Sequence, residues 1–281
     1  MTEQPQPLLA ELPEDRATGE IAVIYDEIRR YSGVPYVSSL QRYLATMPGV
    51  LEWAWAALRP AMLSGTIPET AWRLAEAVPF PRLPAVSPAT LAGWGIDAAG
   101  LLSIRNVAAN FHRVSPVNLL TGACLKLLLT GAAPTGPGFD TAWTPPAPLP
   151  AMPGNVDAAA LPPDQRAVLF RFVTELDGTP FIPALYRQLA HWPCLLGWLA
   201  ESLVPLLTAA DTRAAGAGFR AATTAAAPGI VARLPGLPPL PMPDADTTKR
   251  ILATVDRYAL TSPEMTMFGQ ALLTALPAAG K

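Results

Sequence analysis

The chain has 281 residues, 51% of them hydrophobic and 15% charged, with a formal net charge of −2. So high an apolar content with so few charges excludes a disordered polyelectrolyte. The lack of any basic cluster argues against a nucleic-acid or anionic-membrane partner.

The chain opens MTEQPQPLLAELPED, with acidic residues and prolines where a secretion signal needs a basic start and an apolar run. The most apolar stretch, Leu119 to Ala133, is interrupted by Lys126 and two glycines and is too short to span a bilayer. Both features point to a soluble, cytoplasmic protein with no membrane partner. Cys124 and Cys194 fit a reducing compartment. With only His112 and His191 besides, the usual zinc ligand set is lacking, so no metal site is expected.

The first predicted helix runs from about Gly19 to Tyr31 and stops at Gly33. Glycine suits the left-handed position after a helix, and Pro35 disfavours helical geometry just before it. Gly33 to Pro60 then reads GVPYVSSLQRYLATMPGVLEWAWAALRP. Pro48 sits like a first-turn proline, Leu51, Ala54, Leu58 and Met62 recur at helical spacing, and Pro60 should end or kink the helix. A Pro-rich connector follows at Pro79 to Pro88. Leu101, Ile104, Ala108 and Phe111 mark the next helix, which ends near His112. Ser115-Pro116 reads as an N-cap serine and N1 proline that start another helix.

Beyond a Pro/Gly-rich linker, Gly178 to Pro205 reads GTPFIPALYRQLAHWPCLLGWLAESLVP. It matches the Gly33 segment without a gap, 145 residues on, and is identical at 11 of 28 positions. Pro193, Trp198 and Pro205 repeat Pro48, Trp53 and Pro60. A second connector, Pro228 to Pro243, leads to Ile251–Leu276, which pairs with Ile104–Leu129 at an offset of 147 and repeats the cap as Ser262-Pro263. Alternating β-branched runs are absent. The expected fold is therefore all-α, a tandem duplication of a helical unit of about 130 residues. The boundaries are repeat 1 over 1–131, a linker over 132–163 and repeat 2 over 164–281. One unit cannot bury its apolar faces alone. Two copies are expected to pack about a pseudo-twofold axis, with a pocket between them.

The two Ser-Pro starts are the best sequence feature for ligand binding. A helix N-terminus offers free N–H groups and a positive dipole end to a small carboxylate, although each serine also suits plain capping. His112 has the pKa range of a general base, but its counterpart in the second repeat is Ala259. His191, before Trp192-Pro193, reads as packing or capping, and Trp53 and Trp198 read as core. No Gly-rich phosphate loop, paired-cysteine motif or G-x-S-x-G elbow occurs.

The segments IYDEIRRYSGVPYV, RYLATMPG, LYRQLAHWP and ANFHRVSPVNLL, together with the duplication, resemble the group I (DL-acting) 2-haloacid dehalogenases. The resemblance implies an all-α pseudo-dimeric subunit that forms a homodimer, with its site between the repeats and no cofactor. It implies a reaction in which an Asp, helped by an Asn, activates water to displace halide from the α-carbon with inversion. Carried over residue by residue, the water-activating Asp falls on Leu185 and the serine before it on Ala184, with Tyr186 next to them. The helping Asn falls on Ser115 and the pocket Trp on Tyr36. A Phe falls on Ser39, a Tyr on Val255 and an Ile on Ala259. By looser counting Asp256 or Glu69 would replace the carboxylate. Two readings follow: a diverged hydrolase of small halocarboxylic acids with a relocated base, or a non-catalytic dimeric helical protein that binds a small apolar carboxylate.

Overall fold

Gly33 ends the first helix, α1 (Gly19–Ser32), at φ 65° and ψ 32°, with its own N–H and that of Val34 returning to the last turn. This is a computed structural model, and the structure describes residues 10–139, 143–176 and 179–278. Asp177 and Gly178, the latter opening the second copy, lie outside the described residues. After α1 come α2 (Ser39–Leu44), α3 (Val50–Leu63), α4 (Thr66–Glu76), α5 (Pro88–Gly93) and the long α6 (Ala98–Leu129). The second half contains α7 (Pro163–Leu169), a hairpin of β1 (Thr174–Leu176) and β2 (Thr179–Phe181), α8 (Ala184–Leu189), α9 (Pro193–Ser202), α10 (Val204–Leu207), α11 (Ala210–Val231) and α12 (Ala245–Ala275). The fold is mostly helical, and the hairpin is its only sheet among the described residues.

Several helix ends differ from the sequence reading. Ser115-Pro116 and Ser262-Pro263 do not start helices; they lie inside α6 and α12. The true starts are Asp97 and Asp244, whose carboxylates accept the N–H of Gly100 at 2.8 Å and of Thr247 at 2.7 Å. An internal proline costs about 3 kcal/mol in a helix. Burial offsets it, because Ser115, Pro116, Ser262 and Pro263 are all buried at the middle of the helix pair. Pro48 precedes α3 rather than entering it, since Gly49 at φ 75° holds the N-cap place. Pro193 does occupy the first turn of α9, and Pro205 falls in the first turn of a new helix, while α3 continues through Pro60. Residues 164–176 do not repeat α1: α7 gives way to a 3-10 turn, Phe170–Phe172, and then to β1. There Phe172 turns inward and stacks on Tyr186 at 4.4 Å between ring centres.

α6 and α12 run antiparallel along their whole lengths. Arg105 at one end donates to the carbonyls of Leu273, Leu276 and Pro277, and Lys126 at the other pairs with Asp256 at 2.6 Å. Between them, His112 Nδ1 lies 3.1 Å from the Thr266 carbonyl. At Gly269 the backbones meet so closely that a Cβ would lie 2.7 Å from the Ala108 carbonyl oxygen. One core cluster joins α1–α4 to the later part of α6 and the early part of α12; a second joins α7–α10 to the opposite ends. Each long helix thus serves both cores.

The Pro-rich stretch between the halves is a pinned strap. Gly136 and Gly138 donate to Leu234 and Arg233 carbonyls, Leu149 to Gly33 and Val156 to Arg187. Arg113 bonds the carbonyls of Gly33 and Ala147, Asn110 that of Pro150, and His191 Nε2 lies 2.9 Å from that of Gly154. Among the described residues, no helix is long and apolar enough to cross a membrane.

Candidate functional site

Two short helices, α2 and α8, lie against the long pair and carry most of the residues that the resemblance singles out. On α8, Ala184 is half-buried, whereas Leu185 and Tyr186 are buried in the second core beside Phe172, Ile182 and Leu189. Leu185 offers only methyl groups there. The Tyr186 hydroxyl, however, donates to Glu264 Oε1 at 2.7 Å. Burial is the main cause that raises the Glu264 carboxyl above the ordinary carboxylate range, and the bond from Tyr186 opposes it. The carboxyl is crowded by protein, yet the residue keeps partial exposure, and the phenol engages Oε1 alone. This is a desolvated carboxylate held at one oxygen by a neutral phenol, an arrangement suited to a proton acceptor.

On the α2 side, Tyr36 precedes the helix and Ser39 begins it. The Tyr36 ring lies 6.3 Å from that of Phe111 on α6. Ser39 bonds the hydroxyl of Tyr258 on α12. Burial pushes both Tyr36 and Tyr258 well up, so each phenol stays protonated and available as a donor. One turn on, Arg42 pairs with Glu11 at 2.8 Å.

The remaining assigned residues lie elsewhere. Ser115 is buried midway along α6. Val255 packs on Gly122 in the first core, and Ala259 against Phe219 and Met267 in a third small cluster. The structure therefore places Ala184, Leu185 and Tyr186 on α8, and Tyr36 and Ser39 at the start of α2, where Tyr258 of α12 meets Ser39. Asp256 is tied to Lys126, and Glu69 accepts from Trp143 at 2.8 Å. His112 faces the Thr266 carbonyl and the edge of Phe80; burial lowers its pKa, so the neutral ring, with Nδ1 as donor, is favoured.

A cavity of about 30 Å³, lined by none of these residues, lies under α1–α3 and α6. Its polar lining is Ser32, Gln41, Asn118 and Thr121, with Gln41 Nε2 donating to Asn118 Oδ1 at 3.0 Å. Among the described residues no three His, Cys, Asp or Glu side chains gather as a metal site would require.

Sequence reading missed Glu264, Tyr258 and Arg42. Glu264 follows Ser262-Pro263 and so reads as an ordinary first-turn acid. Arg42 carried one signal, its identity with Arg187 in the repeated segment.

The fold defines the class of helical chains in which two long antiparallel helices join two cores. No protein-family model matches this sequence, and no curated protein matches it. Solved structures do. A D-2-haloacid dehalogenase mutant in complex with D-2-CPA is similar over 96% of this chain and 98% of that one, with a TM-score of 0.68 and 19% identity. A second D-2-haloacid dehalogenase mutant has a TM-score of 0.61 at 19% identity and covers 97% of each chain. A D-2-haloacid dehalogenase in complex with L-LA has a TM-score of 0.57 at 20% identity, over 96% of each chain. The chain shares the fold of these dehalogenases.

Proposed function

We propose that this protein is a diverged, cofactor-independent hydrolase of small 2-halocarboxylic acids, of the group I 2-haloacid dehalogenase type, in which the water-activating Asp is lost at Leu185 and Glu264 supplies the base. The observation that carries this reading is the hydrogen bond by which Tyr186, the residue after Leu185, holds the desolvated carboxyl of Glu264. In the proposed step a water oxygen attacks the α-carbon, the carbon–halogen bond breaks with its electron pair on the leaving halide, and the water proton passes to Glu264. The product is the 2-hydroxy acid of inverted configuration. Tyr186 holds the carboxylate in place, and Tyr36 and Ser39 wall the substrate side.

The same proposal includes a tandem duplication, with the pairs α2/α8, α3/α9 and α6/α12 equivalent, a pseudo-twofold axis near Ser115 and Ser262, and a homodimer in solution. The antiparallel α6–α12 pair and the sequence offsets of 145 and 147 support it. A second reading, a non-catalytic binder of a small apolar carboxylate, is favoured by the closed packing around Leu185, which is only 1% exposed.

Halide release from D- and L-2-chloropropionate separates the two readings. The hydrolase reading expects turnover that Glu264→Gln reduces by roughly 10²–10⁴-fold, the usual worth of general-base catalysis. Absence of turnover with either enantiomer, or turnover indifferent to Glu264→Gln, overturns it.

A further inference from the structure

Two arginines of this chain use the same side-on fork, Nε with Nη2, in different ways. Arg59 is saturated: Nε lies 2.8 Å from one oxygen of Glu27 and Nη2 2.5 Å from the other. The Arg42 fork is half used. Its Nη2 meets Glu11 Oε2 at 2.8 Å and Ser39 Oγ at 3.4 Å, while its Nε is buried and has no partner among the described residues. A buried guanidinium N–H without an acceptor is costly and calls for an explanation. Around this fork stand the hydroxyls of Ser39 and Tyr258, bonded to one another, and the phenol of Tyr36 within electrostatic reach of Arg42. The nearby Glu14 carboxylate is already engaged by Arg29 and the Val37 N–H.

We infer that Arg42 is the carboxylate-binding residue of this seam, and that Glu11 is a built-in competitor which a small substrate carboxylate displaces. A planar carboxylate matches the fork with two parallel hydrogen bonds, which a carboxylate held at Nη2 alone does not make. The Ser39–Tyr258 pair leaves one O–H as a neutral donor, and Phe111 beside Tyr36 supplies an apolar wall for a short alkyl group. Glu11 sits on a segment fixed independently of its carboxylate: Leu12 N–H donates to the Arg42 carbonyl at 3.0 Å, and Tyr25 donates to the Leu12 carbonyl at 3.1 Å. Its side chain is thus free to swing away while the backbone stays in place. This deepens the hydrolase proposal by naming where the acid group binds, but it concerns binding alone.

The test is the affinity of the whole chain for propionate, a carboxylate with no leaving group, measured by calorimetry or by ligand-observed NMR. Removing the competitor with Glu11→Gln is expected to tighten propionate binding roughly tenfold. Arg42→Met is expected to abolish binding. Arg42→Lys is expected to lose most of it, because a point charge replaces the fork. Unchanged affinity in Glu11→Gln, or wild-type affinity in Arg42→Met, overturns the inference. If Arg42→Met does not fold, Glu11→Gln and Arg42→Lys still decide. A chain that binds propionate through Arg42 but releases no halide keeps this inference and loses the hydrolase reading.

Discussion

Gly122 and Gly269 occupy equivalent places in the two matching segments, yet alanine at the two positions should have opposite consequences. Inside a helix, Gly→Ala gains about 1 kcal/mol of intrinsic propensity at either site. At Gly122 the new methyl meets only a methyl of Val255, at 3.2 Å, a side chain that can give by a few tenths of an ångström. At Gly269 it would lie 2.7 Å from the Ala108 carbonyl oxygen and 3.1 Å from the His112 nitrogen. Both contacts are helix backbone, so α6 and α12 must separate. Overpacking of this kind costs about 1–3 kcal/mol, and separation also weakens the His112–Thr266 hydrogen bond, worth about 0.5–1.5 kcal/mol. Gly269→Ala should therefore be destabilised by about 2 kcal/mol net, and Gly122→Ala should be neutral or slightly stabilised. Equilibrium urea unfolding of the two variants, compared at equal m-value, reads the difference. A Gly269→Ala variant as stable as wild type, or a larger loss at Gly122, would refute the close approach of the two long helices.

The carboxyl of Glu264 is raised by burial, so its contribution to stability is present below the ordinary carboxylate pKa and is lost as pH rises through its folded value. Wild type should thus gain stability relative to Glu264→Gln as pH falls toward that range, in parallel denaturation series, and the acid limb of any halide-release profile should lie above the ordinary carboxylate range. His112 runs the other way: its lowered pKa means that stability is lost as pH falls below the ordinary histidine value, and His112→Gln should flatten that limb. Asn118→Leu should cost about 1–2 kcal/mol by stranding the buried Gln41 amide, and Gln41→Leu added to it should recover much of the loss, which a double-mutant cycle measures. Cys124 is buried with its thiol pushed up to about 12, whereas Cys194 is exposed, so a thiol reagent should titrate one cysteine in the native protein and two in denaturant.

Local chemistry alone determined much of this molecule. Helical periodicity gave an all-α chain, and Gly33 before Val34-Pro35 ended α1 where glycine is the residue that takes φ 65° without strain. Ser115-Pro116 misled for a physical reason. A Ser-Pro pair prefers to start a helix, and only burial between two long neighbours makes an internal proline tolerable. The same error hid Glu264, which reads as a first-turn acid and becomes a desolvated carboxylate only because α8 brings Tyr186 against it. Leu185 could be matched to a position from sequence, but whether the methyl groups there lined a pocket or a core depended on Phe172 and Ile182 arriving from a segment that abandons helix. Arg42 and Arg187 look alike in the repeated segment; the half-used fork of Arg42 arises from Glu11, 31 residues away in the chain. Periodicity and capping act over a few residues and are written in the sequence. Desolvation, orphaned donors and backbone contact depend on residues distant in sequence that meet only in the folded chain.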